Sequence, residues 1–186
     1  MTDYTQVDHL PTHGRRVVFQ GVEGAYSFGA MKEFFDDTIT SFHVDTWKEA
    51  MEAITKGEAD YAVLPIENST AGIVSDIYDL LVEYPHYIVG EQELPVEHVL
   101  MALPGAKVED IRTVISHPQA LAQCRRFLDS NENWKTEERL NTAAAAKEVS
   151  ESGDLTMAAV GSPYAAEHFG LQILKEGIFD ARGNTT

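Results

Sequence analysis

Arg15–Phe35 reads RRVVFQGVEGAYSFGAMKEFF, and this stretch decides the fold class. Arg15 to Gln20 is a short β-type run that ends at Gly21, and from Ala25 to Phe35 the apolar residues Phe28, Met31 and Phe35 recur at helical spacing. The reading is strand, tight turn, helix. Outward from it the same unit recurs: Ile39 to Val44 with a Trp47 to Lys56 helix, Tyr61 to Leu64 with an Ile73 to Val82 helix, then a strand-like Tyr87 to Glu91. A second series starts at Val96. It holds Val99 to Leu103, Thr113 to Ile115 into a Pro118 to Leu128 helix, Trp134 to Leu140 into Ala143 to Val149, and Thr156 to Val160 into Tyr164 to Phe169. Such regular alternation predicts an α/β fold with mainly parallel strands. Pro95 and Pro104 place turns at mid-chain, so two lobes of similar size around a cleft are expected, with Met1 to His13 as a leader or linker.

Composition limits the partners. The 186 residues carry 14 Lys and Arg against 30 Asp and Glu, a net charge of -16, so the chain as a whole offers no footprint for nucleic-acid phosphates or an anionic membrane. An anionic ligand would need a locally built site. The one cysteine, Cys124, makes neither an internal disulfide nor a thiolate metal site, which fits a reducing compartment and sets the cytoplasm as the expectation. No apolar run approaches the roughly eighteen residues that span a bilayer, and Met1 to His13 lacks a basic start and an apolar centre.

In open α/β sheets ligands bind beyond the carboxyl ends of strands, and the residues following the expected strands are unusually polar there. Gly21 to Ser27 offers a tight turn and backbone N–H groups at a helix start, but has neither dinucleotide-binding spacing nor a phosphate-loop lysine. Alone it is a plain turn before it is a ligand loop. Glu67-Asn68-Ser69-Thr70 exceeds what one helix cap needs, and a Glu at a sheet's carboxyl edge, raised by burial, would serve as an acid. In Ser116 to Cys124, Ser116 suits a cap and Pro118 a first turn, while Gln119 and Gln123 share a helical face as neutral donors for a carboxylate. His117 also reads as an ordinary surface histidine, and Cys124 as a small buried hydrophobe. Asn141-Thr142 is a cap by default, and Asp180 to Thr186 a frayed tail. The seven histidines show no ligand spacing, so no metal is expected.

Together, G-x-x-G-A-Y-S at Gly21 to Ser27, P-I-E-N-S at Pro65 to Ser69, S-H-P-Q-A-L-x-Q-C at Ser116 to Cys124 and N-T-A at Asn141 to Ala143 resemble the catalytic domain of prephenate dehydratase. The resemblance runs from about Arg15 to Thr186 and looks most like the bacterial bifunctional chorismate mutase/prephenate dehydratase proteins. It implies a fold like the type II periplasmic binding proteins, with lobe one at 14–95 plus 176–186 and lobe two at 96–175. It also implies loss of carbon dioxide and water from prephenate to give phenylpyruvate for L-phenylalanine synthesis, with no cofactor. By the same carry-over Thr186 assists the departing hydroxyl; that another group such as Glu67 feeds it the proton is an expectation of its own, because a threonine is a weak acid. Asn68, Ser116 and Gln123 hold substrate or shape the transition state, with Ser27, Ser69, His117 and Thr142 as further cleft residues.

The family tail N-x-T-R-F would continue after Thr186 with Arg and Phe. The chain is therefore expected to be a fragment, without the ACT domain that senses phenylalanine and without chorismate mutase helices, to which the full protein is fused. A homodimer is expected. The rival functions are arogenate dehydratase and a non-catalytic small-anion binding module.

Overall fold

The computed structural model describes residues 10–70, 72–180 and 183–186. Most of the expected leader, residues 1–9, lies outside the described residues, as do Ala71, Ala181 and Arg182. The first sheet is built by β1 (Arg16–Gln20), α1 (Tyr26–Phe34), β2 (Thr40–Val44), α2 (Trp47–Thr55) and β3 (Tyr61–Val63), in strand order β2-β1-β3, all parallel. Successive side chains of a strand point to opposite faces, and β1 shows it. Val17 and Phe19 pack with Met31 and Phe35, whereas Val18 packs with Ala50 and Ala53 of α2. A central strand covered on both faces must be apolar throughout, which is why VVF is uninterrupted. Thr46 and Glu49 close a capping box at the start of α2.

Beyond β3 the chain departs from the expectation. Glu67 to Thr70 do not cap a helix. β4 (Glu67–Asn68) and β5 (Gly72–Ile73) pair antiparallel, and α3 (Ser75–Glu83) starts after them, capped by Val74 without a side-chain hydrogen bond. Ile73, expected in the helix, is in β5. Tyr87 to Glu91 forms no ladder either, because an apolar run makes a strand only where a sheet edge accepts it. No strand of the first sheet pairs with this run, and Tyr87, Ile88 and Val89 stay exposed.

The second sheet contains β6 (Val99–Ala102), β7 (Thr113–Ser116), β8 (Lys135–Glu138), β9 (Met157–Gly161) and β10 (Gln172–Lys175) in the order β10-β6-β9-β7-β8. Its helices are α4 (Pro118–Gln123), α5 (Arg125–Asp129), α6 (Thr142–Ser152) and α7 (Pro163–His168). β9, β7 and β8 pair in parallel, but β6 runs antiparallel to both of its neighbours, β9 and β10, so this sheet is mixed rather than wholly parallel. Leu100, Val114, Ala158 and Val160 face one core with Cys124 and Leu128, while Met101, Ile115 and Ala159 face the other with Ala145, Ala146 and Val149. The single helix expected over Pro118 to Leu128 breaks at Cys124, whose backbone N–H bonds Leu121 rather than continuing the α pattern. The chain passes between the sheets at residues 84–98 and again after Lys175.

The two sheets touch through the loop after β1 and the start of α7. The Ser162 hydroxyl donates to the Gly24 carbonyl at 2.6 Å and accepts the Ala165 N–H at 3.0 Å. A Cβ on Gly29 would sit inside the Tyr164 ring, so α1 needs glycine there to approach α7. The Tyr164 hydroxyl closes the contact on Glu33.

Candidate active site

Two polar clusters, joined by the crossing segment Leu94 to His98, gather most of the expected site residues. In the first, the tail 183–186 lies between the β4–β5 hairpin and the crossing chain. Leu94 and Thr186 exchange both backbone hydrogen bonds at 2.9 Å, and the Val96 N–H donates to the Asn184 carbonyl at 2.8 Å. On the other side the Ser69 N–H donates to the Thr185 carbonyl and the Thr185 N–H to the Ser69 hydroxyl, both at 2.9 Å. The Thr186 hydroxyl donates to the Glu67 carbonyl at 3.0 Å. The tail is thus held on both sides, with an isolated antiparallel bridge between Pro95 and Thr185, and is not a frayed end. Asn68 turns its carboxamide oxygen onto the Thr70 N–H at 3.0 Å. Glu67 itself is exposed, so the burial invoked to make it an acid is not present, and Thr186 meets its carbonyl rather than its carboxylate.

The second cluster centres on a buried histidine, with Tyr26 and Gln123 half-buried around it. His98, only 4% exposed, bonds the Tyr26 hydroxyl through Nδ1 at 3.0 Å and Gln123 Oε1 through Nε2 at 2.8 Å. Tyr26 also reaches the Glu97 carbonyl at 3.0 Å, and its ring meets the imidazole edge-on at 5.8 Å. Burial pushes the Tyr26 phenol up and holds His98 below the ordinary histidine range, so both are neutral near pH 7. The Gln123 carbonyl accepts the Asp180 N–H at 2.7 Å, which fixes the end of α4 to the returning chain. Leu94 and His98 are four residues apart, a span of at most about 14 Å, so both clusters border one region.

The remaining residues sit at carboxyl ends of strands. Ser116 ends β7 and is fully buried, its hydroxyl donating to the Val160 carbonyl at 2.6 Å. It is not the helix cap. That role falls to His117, whose Nδ1 accepts the Gln119 N–H at 3.2 Å. Asn141 caps α6 through the Ala144 N–H at 2.7 Å, which places Thr142 at the helix start beside Gly161, the last residue of β9. Ser27 uses its hydroxyl to close its own turn on the Gln20 carbonyl at 2.6 Å. Arg139, a half-buried cation following β8, forks onto Glu148 at 2.6 and 2.7 Å, which commits its charge. Surface depressions of about 390 and 360 Å³ are lined by Ala144, Lys147, Glu148 and Met157 and by Leu128, Asn131 and Trp134, and none of the nine expected site residues lines either. Among the described residues no helix is long and apolar enough to cross a membrane, and no three His, Cys, Asp or Glu side chains group as a metal would require.

A family profile described as prephenate dehydratase matches residues 17–186. The chain belongs to the prephenate dehydratase family. Arogenate dehydratase 1 of Petunia hybrida is 43% identical over 185 residues, covering 98% of this chain and 43% of that protein. The bifunctional chorismate mutase/prephenate dehydratase of Escherichia coli (strain K12) is 35% identical over 184 residues, covering 97% and 47%. The chain therefore spans less than half the length of these curated relatives. Among solved structures, prephenate dehydratase from Arthrobacter aurescens in complex with L-Phe aligns with TM-score 0.78 at 31% identity, covering 91% of this chain and 58% of that one. GqqA, described as a novel type of quorum quenching acylase, aligns with TM-score 0.82 at 38% identity, covering 92% and 61%.

Within this member of the family, sequence reasoning missed His98 and used Tyr26 only as a motif letter. The available signal was a histidine directly before the fully apolar Val99 to Ala102, at a mid-chain crossing. A histidine there must be buried, and a buried imidazole needs two partners.

Proposed function

We propose that this domain converts prephenate to phenylpyruvate in L-phenylalanine biosynthesis, acting in the cytoplasm. The ring carboxylate leaves as carbon dioxide, its bonding pair enters the ring, and the ring hydroxyl leaves with one added proton as water. Aromatisation drives the reaction, so the protein must orient a dianion and hand a proton to a poor leaving group. The observation that carries this reading is the Thr186 hydroxyl on the Glu67 carbonyl. That carbonyl is a neutral acceptor. A departing hydroxide is a charged one, and charge-assisted hydrogen bonds are about twice as strong, so the proton transfers its allegiance as the C–O bond breaks. A proton from solvent then restores the Thr186 hydroxyl. Asn68, Ser69 and Gln123 hold the carboxylates; Ser27, Ser116, His117 and Thr142 shape the loops around them.

A second reading is arogenate as substrate, favoured by the name of the petunia relative. An acylase, as GqqA is described, needs an activated nucleophile. Here the hydroxyls of Ser69 and Ser116 give their protons to the carbonyls of Gly183 and Val160, and burial pushes the Cys124 thiol up to about 12. The geometry favours elimination. We also propose two lobes at 14–95 plus 176–186 and at 96–175, assembly as a homodimer, and fusion to chorismate mutase and ACT domains in the whole protein. The bacterial relative's name supports the chorismate mutase fusion.

The test supplies prephenate and arogenate in parallel to this chain and to the chain continued by Arg-Phe, following phenylpyruvate by absorbance in alkali and phenylalanine by chromatography. Faster turnover of prephenate is expected. Preference for arogenate establishes the second reading. Thermal stabilisation by either compound without turnover establishes a binding module instead.

A further inference from the structure

The Tyr26–His98–Gln123 cluster sets the direction of every proton in it. Gln123 presents its oxygen to His98 Nε2, so Nε2 carries the hydrogen and donates. Nδ1 then has only a lone pair, and it faces the Tyr26 hydroxyl, whose single proton is shared in a three-centre bond between Nδ1 and the Glu97 carbonyl, both at 3.0 Å. Donation thus runs one way, from phenol to imidazole to carboxamide, and the Gln123 NH2 group has no acceptor among the described residues. Each bond in such a chain polarises the next. The members come from three places: the first turn of α1, the crossing segment, and the end of α4. The main chain of Gln123 is held independently by Asp180, so only the side-chain direction is left for His98 to decide.

We propose that His98 is a positioning residue that, with Tyr26, turns the Gln123 carboxamide so that its N–H groups face the substrate and bind one of its carboxylates. This rests on the reading that Gln123 touches substrate. Its physical sense lies in the charge of the protein. With a net charge of -16 and Arg139 committed to Glu148, an uncharged donor chain attracts a dianion without placing a bare cation in the cleft. The opposite tautomer of His98 would require Gln123 to turn its NH2 inward and present its oxygen to the carboxylate, which repels it. Substrate affinity is therefore tied to one tautomer of one buried imidazole.

The experiment combines kinetics with ¹⁵N–¹H NMR of the imidazoles in the same protein, comparing wild type, His98→Gln, Tyr26→Phe and Gln123→Ala, with circular dichroism to confirm folding. A hydrogen bond to a charged group, present in both the bound and transition states, acts on KM. His98→Gln and Gln123→Ala are expected to raise KM for prephenate about ten- to a hundred-fold with far smaller changes in kcat. Tyr26→Phe, which keeps the ring, gives a smaller rise in the same direction. Ligand-free His98 is expected as the neutral Nε2–H tautomer in wild type. A neutral Nδ1–H tautomer overturns the proposal. So does an unchanged KM in both His98→Gln and Tyr26→Phe while Gln123→Ala raises it, and the underlying reading of Gln123 then stands. An unchanged KM in Gln123→Ala refutes that reading and the proposal together. Should His98→Gln fail to fold, Tyr26→Phe and the tautomer decide.

Discussion

Replacing Gly24 with alanine probes the contact on which the two sheets meet. Gly24 has φ of +86°, and an added Cβ would lie 2.9 Å from Ala165 Cα, 3.0 Å from Ala165 Cβ and 3.4 Å from the Phe169 ring. Ala165 is fully buried and cannot yield as a flexible side chain would. Helix α7 is also pinned to this loop, since Ser162 bonds both the Gly24 carbonyl and the Ala165 N–H. The left-handed backbone costs an L-residue about 1 kcal/mol, and overpacking a fixed contact costs about 1–3 kcal/mol. Gly24→Ala should thus lose about 2–4 kcal/mol, which for a chain of this length lowers Tm by roughly 4–16 °C. Gly57 supplies the control, because its φ is +69° but its Cβ would meet nothing within 4 Å. Gly57→Ala should show the conformational part alone, about 1 kcal/mol. The assay is thermal unfolding by circular dichroism with a parallel urea titration. Equal losses in the two variants would refute the tight packing of this loop on α7.

Further outcomes follow from the same contacts. Ser162→Ala removes the cap of α7 and leaves the Gly24 carbonyl without a buried donor, which should cost about 2–4 kcal/mol; a shift within the error of the urea midpoint would contradict it. Cys124, fully buried with its thiol pushed up to about 12 by burial and then by Asp180, should react with iodoacetamide at pH 8 only after unfolding. Labelling of the native protein at the rate of a free thiol would refute that. Because burial holds His98 below its ordinary range, the unfolded chain takes up a proton below about pH 6.5 that the folded form refuses. Stability is therefore full above that pH and falls as the pH is lowered, by up to about 1.4 kcal/mol per unit, until the folded imidazole itself titrates. His98→Gln should flatten the decline between roughly pH 6.5 and 5; an undiminished slope would exclude His98 as its source.

What was legible in the sequence was what local pattern controls. Val17 to Phe19 followed by Phe28, Met31 and Phe35 contains its own strand, turn and helix, and the structure places them with the expected partners. The β4–β5 hairpin was not legible, because Glu67 and Asn68 are polar and Ser69 beside them is held by a tail more than a hundred residues away. β10 was missed, and Tyr87 to Glu91 was overread, for the same reason: a sheet edge is a tertiary fact. The break at Cys124 comes from the demand that its side chain enter the core beside Val114 and Val160. For the candidate site, the motifs singled out Glu67, Ser69, Gln123 and Thr186 as expectations, but geometry was needed to see that Thr186 meets a carbonyl and that Ser116 faces inward. The cap assigned to Ser116 belongs to His117, one residue on, a shift no pattern resolves.

The most direct measurement of the central claim is kcat for prephenate in Thr186→Val and Thr186→Ser, each in the chain continued by Arg-Phe. Valine keeps the shape and removes the hydroxyl that Glu67 holds, whereas serine keeps the donor. The account predicts a fall of about a hundred- to a thousand-fold for valine and near-complete retention for serine, as for loss of a single transition-state donor. Turnover by Thr186→Val at the wild-type rate would contradict it.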